Sequence, residues 1–213
     1  MSRVRVHNFV ISLDGFCTGD DQTRDAAFGT AHATFVEWFR TVGVFDVEEP
    51  DGAAGIDQAR VGTWGQGIGA EIMGRHKFDP SSGPWQDDGW IGWWGRNPPF
   101  HTPCYVLTHY PRAAIELDGG TTFHFVSGSP AEVIARVLAD IGSDQDIRLG
   151  GGVDTVRDYL LAGVVDFLHL IQIPVVLGRG KRLWDGLGSV HEQYAVESVS
   201  TPSRVTHVTL TRR

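Results

Sequence analysis

The chain has 213 residues, 41% hydrophobic and 21% charged, with a formal net charge of −8 at pH 7. That balance fits one α/β domain with an ordinary core, and the acidic excess excludes a general nucleic-acid binder, since phosphate backbones are gripped by surplus Lys and Arg. No apolar run reaches the roughly 20 residues of a membrane span, the opening Met1-Ser-Arg-Val-Arg-Val-His lacks a signal-peptide core, and Cys17 and Cys104 share no metal or redox spacing; a soluble cytoplasmic protein is expected.

Val4 and Val6 alternate with Arg3 and Arg5, then Phe9-Val-Ile is continuously apolar. This predicts a strand entering a buried sheet and stopping at the Ser12-Leu-Asp-Gly turn. Residues 33–42 read as a helix with Phe35, Val36 and Phe39 on one face. Residues 43–69 read as a long Gly-, Asp- and Glu-rich excursion, helical only near 56–61. Glu71-Ile-Met-Gly predicts a short strand, and 79–103 a Gly/Pro segment carrying Trp85, Trp90, Trp93 and Trp94. Strands are expected over 104–108 and 121–126. Ser129-Pro-Ala-Glu132 is a capping box with proline at the first helical position, followed by Val133, Ile134, Val137, Leu138 and Ile141 at helical spacing up to Gly142.

After that helix, Ile147 and Leu149 mark a strand that runs into Gly150, Gly151 and Gly152, and a helical pattern with Val153, Val156 and Leu160 on one face starts at once. Glycine lets backbone approach a ligand closely, and the first helical turn offers free N–H groups at the positive end of the dipole. The arrangement suits an anion, most simply a phosphate; the same turn also serves as a plain strand-to-helix connection, and the triplet alone leaves both open. Residues 164–177 suggest one long central strand interrupted by Pro174, and 196–209 a closing antiparallel pair. The alternation of strands and helices predicts a mixed α/β sheet with helices on both faces.

His101, His109 and His124 show no recurrent ligand spacing, nor do His169 and Asp166, and no metal is expected. His169 shares a strand face with Phe167 and Ile171, as a hydrogen-bonded core histidine would. The tryptophans of 85–94 suit either a stacking lid over a flat heterocycle or simple packing of a long loop. No Ser-His-Asp order with a nucleophile elbow is present.

Four motifs stand in a telling order: Ser12-Leu-Asp-Gly-Phe16, Ile72-Met-Gly-Arg75, Val106-Leu-Thr-His109 and Leu149-Gly-Gly-Gly152. This order resembles the dihydrofolate reductase superfold. Leu177-Gly-Arg-Gly-Lys-Arg-Leu-Trp184, after a Val-Asp-x-Leu-His-Leu-x-x-x-Pro strand, is similar to the C-terminal reductase domain of the bifunctional riboflavin-biosynthesis deaminase-reductase and its free-standing relatives. The resemblance covers residues 1–213 as one three-layer domain: a mixed, mostly parallel central sheet with antiparallel C-terminal strands, and insertions near 43–70 and 80–103.

The resemblance implies an NADPH-dependent reductase that transfers hydride to a small planar nitrogen heterocycle, with the dinucleotide lying across the carboxyl ends of the strands. Gly150, Gly151 and Gly152, with the helix start at Val153 and Thr155, would hold the pyrophosphate. Gly74, Arg75 and His76, with Lys77 adjacent, would approach the adenosine-side phosphates, and Thr108 and His109 would flank the 2′-phosphate. Ser12 and Leu13 would reach the nicotinamide, and Asp14 would orient substrate or handle a proton. A homodimer is the family expectation, and FMN is the alternative ligand. Two departures stand out. Phe35 occupies the first-helix position where dihydrofolate reductases carry their pterin-binding carboxylate, with Glu37 on another side of the helix. The deaminase motif is absent from this sequence, and Arg179, Lys181 and Arg182 form the only other dense basic cluster for a substrate phosphate. A non-catalytic protein that binds a dinucleotide or flavin in the same pocket is the second reading.

Overall fold

The computed structural model describes residues 2–42 and 52–213. In chain order the elements are β1 (Val4–Ser12), β2 (Phe16–Thr18), α1 (His32–Thr41), α2 (Gly52–Val61), β3 (Ile68–Gly74), α3 (Arg75–Phe78), β4 (Pro103–Leu107), β5 (Ile115–Glu116), β6 (Thr122–Val126), α4 (Pro130–Ile141), β7 (Asp146–Gly151), α5 (Val153–Leu161), β8 (Phe167–Ile173), β9 (Lys181–Arg182), β10 (Tyr194–Ser200) and β11 (Thr206–Arg212). Nine strands form one sheet in the order β10-β11-β8-β1-β7-β3-β4-β6-β5. Pairings from β8 to β6 are parallel, whereas β10–β11, β11–β8 and β5–β6 are antiparallel.

The alternation expected of β1 is broken once. Asn8 has φ 56°, and the register with β8 shifts between Val6 and Phe9. A bulge of one residue exchanges faces for all that follows. Val4 and Val6 therefore lie in the same core as Ile11, while Val10 faces the opposite layer. On the first face α4 and α5 bury Val133, Val137, Val156, Tyr159 and Leu160 against Ala70, Ile72, Ile147 and Leu149. On the second face α1 sets Phe35 and Phe39 over Val10, Ile171 and Ile173 at one end. At the other end, half-buried Trp85, Trp90 and Trp94 cover a cluster of Met73, Phe78, Val106, Phe123 and Phe125. The tryptophan segment thus packs on the domain.

The capping box of α4 forms both of its reciprocal bonds, and Gly142 closes the helix at φ 82°. The long strand expected over 164–177 is shorter, because β8 begins only at Phe167 and Pro174, which has no N–H to donate, ends it. Three short strands were not expected: β5 borders β6 at the sheet edge, and β2 and β9 pair with each other in a separate ribbon. Of the expected 43–69 excursion, 43–51 lies outside the described residues; the helix expected near 56–61 is the second half of α2.

His169 is a hydrogen-bonded core histidine. Its Nε2 meets Nδ1 of His207 at 2.8 Å, and Nε2 of His207 meets Oδ1 of Asp57, from α2, also at 2.8 Å. Burial, then His207, pushes His169 down to about 4. Burial, then Arg5, Arg148 and His169, pushes His7 down to about 3. Both folded-state values lie below the ordinary 6.5, so the unfolded chain takes up protons first as pH falls, and stability is lost between about pH 6.5 and 3. The unfolding free energy from urea titration should drop by about 2–4 kcal/mol from pH 7 to pH 5, and His169→Gln should remove about half of that dependence.

Candidate functional site

β7 carries Gly150 and Gly151 inside the sheet, and α5 starts one residue beyond, with Gly152 as its cap and no side chain closing its first turn. The Gly151–Gly152 peptide is cis, and Gly151 has φ 108°. Side chains are excluded here by close approach. A Cβ at Gly150 would run into the Glu71 carboxylate and the Lys77 ammonium, and one at Gly74 would overlap the Thr155 hydroxyl. Gly74, Gly150, Gly151, Gly152, Val153 and Thr155 are therefore one constellation at the carboxyl ends of β3 and β7, with a glycine-lined backbone on either side of Thr155.

α3 follows β3 directly and carries Arg75, His76 and Lys77. The Arg75 guanidinium is not a free anion hook in this arrangement. It lies over the Trp85 ring at 4.0 Å, with Tyr110 at 5.6 Å, and donates to the Gly83 carbonyl. Its Nε and Nη2 are buried and find no partner among the described residues. His76 is exposed, and burial of its ring, then Lys181, holds its pKa below the ordinary value. Lys77 turns back under the sheet to Glu71, at 3.0 Å. Thr108 is buried, with its hydroxyl accepting from the Tyr110 N–H to close a turn, while His109 is exposed beside it.

Ser12 and Asp14 are bonded to each other and to the backbone around them. Ser12 is fully buried; its hydroxyl donates to Asp14 at 2.6 Å and accepts from the Phe16 N–H at 2.9 Å. Asp14 also accepts from the N–H groups of Leu177 (3.1 Å) and Gly178 (2.8 Å). Desolvation raises its pKa, but the bonds from Ser12, Gly178 and Leu177 prevail and hold it at about 2. A carboxyl of that kind is ionised at neutral pH in the free protein. Asp14 ties the end of β1 to a segment more than 160 residues later.

The basic cluster is engaged as well. Lys181 pairs with Asp154, Arg182 lies over Phe16 at 4.6 Å, and only Arg179, 72% exposed and 3.8 Å from Asp20, reaches outward. Sequence reasoning missed Glu71, Arg148 and Asp154. The first two are charges set in strands, a signal that a buried pair was present; Asp154 stood openly in the first turn of the predicted helix.

Among the described residues no group of His, Cys, Asp or Glu is arranged to hold a metal ion, and no helix is long and apolar enough to cross a membrane. A family model described as the RibD C-terminal domain matches residues 4–208. No curated protein matches the chain in sequence. Among solved structures, a protein from Shewanella sp. PV-4 named for riboflavin biosynthesis shares 18% identity at TM-score 0.61, over 100% of this chain and 99% of that one. Dihydrofolate reductase from Enterococcus faecalis, solved with NADP(H), shares 11% at TM-score 0.50, over 100% and 96%. The deaminase/5-amino-6-(5-phosphoribosylamino)uracil reductase of Thermotoga maritima shares 14% at TM-score 0.54; the whole of this chain spans 57% of that one. At such identities the likeness establishes the fold.

The Asp14 clamp is open to measurement. Asp14→Ala should cost about 1 kcal/mol, the worth of charge-assisted bonds discounted for solvent screening, seen as a lower melting temperature at pH 7. Because its folded pKa is depressed, the contribution is full above about pH 4 and fades as pH falls toward 2, so the parent and the variant should converge in acid.

Proposed function

Because the chain belongs to the RibD C-terminal domain family, we propose that it is an NADPH-dependent reductase that delivers hydride to a small planar nitrogen heterocycle of pyrimidine or pterin type. The observation that carries this reading is the bare-backbone cradle at the start of α5, where no side chain caps the first turn and a Cβ at Gly152 would meet nothing within 4 Å, beside an arginine with two buried, unpartnered N–H groups. Buried donors without acceptors are costly, and a phosphate oxygen is the partner that suits them. The residues therefore fit the dinucleotide.

In this reading the N–H groups at the start of α5, at Val153 and Thr155, hold the pyrophosphate. Arg75, His76, Thr108 and His109 surround the 2′-phosphate, and stacking on Trp85 keeps the Arg75 guanidinium flat and oriented. Asp14 holds the 177–178 backbone against the carboxyl end of β1 and so shapes the nicotinamide side, with Ser12 as its buried support. NADPH, when bound, supplies the hydride. The reading takes residues 1–213 as one catalytic domain, supported by the family match over 4–208 and the continuous nine-stranded sheet. It also takes the protein as cytoplasmic and homodimeric. The edge strand β10 leaves Val196 and Val199 exposed at 54% and 43%, a surface that a second copy would cover.

The second reading, a dinucleotide- or flavin-binding protein without turnover, draws on one observation. Phe35 is fully buried in the α1 core and Glu37 is exposed, so the first helix offers no carboxylate to a pterin.

Titration of the purified protein with NADPH, NADH and FMN separates these readings. NADPH should bind tightest, and Arg75→Ala should weaken it by about tenfold or more through loss of a charge-assisted pair while changing NADH little. Equal losses would remove Arg75 from the 2′-phosphate. Absence of any nucleotide binding would sink the reductase reading.

A further inference from the structure

Asp154 is the second residue of α5 and has the most contested position around the cradle. Helix starts favour carboxylates, yet this one is held by more than the dipole. Lys181, from β9, donates to its Oδ2, and the Arg157 guanidinium lies 3.6 Å from its Oδ1. Arg157 also donates to the carbonyls of Arg182 and, at 3.4 Å, Leu183. His76, from α3, lies within the field of both Lys181 and Asp154. Three elements distant in sequence thus converge on one anion, next to the turn where Gly74 and Gly152 flank Thr155.

The partners are poised to exchange. The side chains of Asp154 and Lys181 are 53% and 44% exposed, and ion pairs of that kind are held weakly. A doubly charged diphosphate at the start of α5 would meet the Asp154 carboxylate as a like charge and the Lys181 ammonium as its natural counterion. Once the carboxylate turns away to solvent, the Lys181 ammonium is released, while Arg157 stays on the Arg182 and Leu183 carbonyls.

We propose that Asp154 is an internal stand-in for the dinucleotide's diphosphate: it occupies Lys181 in the free protein and yields it on binding. The inference rests on the cofactor reading above and makes Asp154 and Lys181 the pair that sets dinucleotide affinity. Its effect falls on the diphosphate, which NADH and NADPH share, whereas that of Arg75 falls on the 2′-phosphate alone.

The test is calorimetric titration of the full chain with NADPH and with NADH, for the parent, Asp154→Asn, Lys181→Met and the double variant, with melting temperatures confirming that each folds. Asp154→Asn should tighten both nucleotides alike by about fivefold, the weight of one screened charge. Lys181→Met should weaken both, and more so when Asp154 is already Asn, because the ammonium is then free beforehand. If Asp154→Asn is unstable, Asp154→Ser removes the same charge and keeps a polar group suited to a helix start. Unchanged or weaker binding in the charge-removed variant, with the parent still binding NADPH, overturns the stand-in and leaves the cofactor reading intact. A parent that binds neither nucleotide overturns both.

Discussion

A carboxylate buried in the middle of a parallel sheet imposes terms on everything near it. Glu71, on β3, is 1% exposed, and it is neutralised on two sides by Lys77 at 3.0 Å and Arg148 at 3.1 Å. Removing Glu71 would leave two cations facing each other without a counterion, at a cost of about 3–5 kcal/mol. That requirement explains several features at once. α3 ends after one turn, with Lys77 folded back beneath the sheet. Gly150 stays bare because the space beside it belongs to the ion pair. Arg148 lies over Trp64 at 4.4 Å, and Lys77 stands 5.8 Å from both Trp94 and Phe100. The aromatic insertion is, in this sense, a roof for cations.

The same rule governs the rest of that face. Asp57 reaches down from α2 to His207 and accepts a bond from Ser203, and His207 passes the chain to His169. Arg5 bonds His7 at 2.9 Å and Asp146 at 2.8 Å. Arg24 holds Asp79 and Asp88 while lying over Trp90 at 4.4 Å, which fastens the insertion to the loop after β2. Buried polar groups are acceptable when each has its partner. These chains connect loops and helices to strands that hydrophobic contact alone would hold less specifically.

The candidate site inherits this rigidity on one side and is looser on the other. Its floor, at Gly150 and Gly74, is set by buried ion pairing and close backbone packing. Its rim, formed by Asp14 against residues 177–178 and by Asp154 against Lys181, is tied by bonds open to solvent. On the proposed reading, the buried floor would fix the cofactor and the solvent-open rim would admit and release it.

Much of this was legible in the chain. The capping box at Ser129, the helix after the glycine triplet and the closing antiparallel pair follow from local chemistry, since capping, glycine freedom and apolar period act within a few residues. The order of the motifs carried the family. The contacts of Asp14 with Leu177 and Gly178 were not legible, because those partners lie across the whole sequence. Nor was the bulge at Asn8, which exchanged the faces of β1, or the engagement of Arg75 by Trp85. The sequence by itself determined which segments are strands and helices and that a glycine turn meets a helix start. Only the tertiary structure decided which charges are spent on one another and which remain to meet a ligand, because ion pairing and desolvation depend on distances between segments that local sequence does not encode.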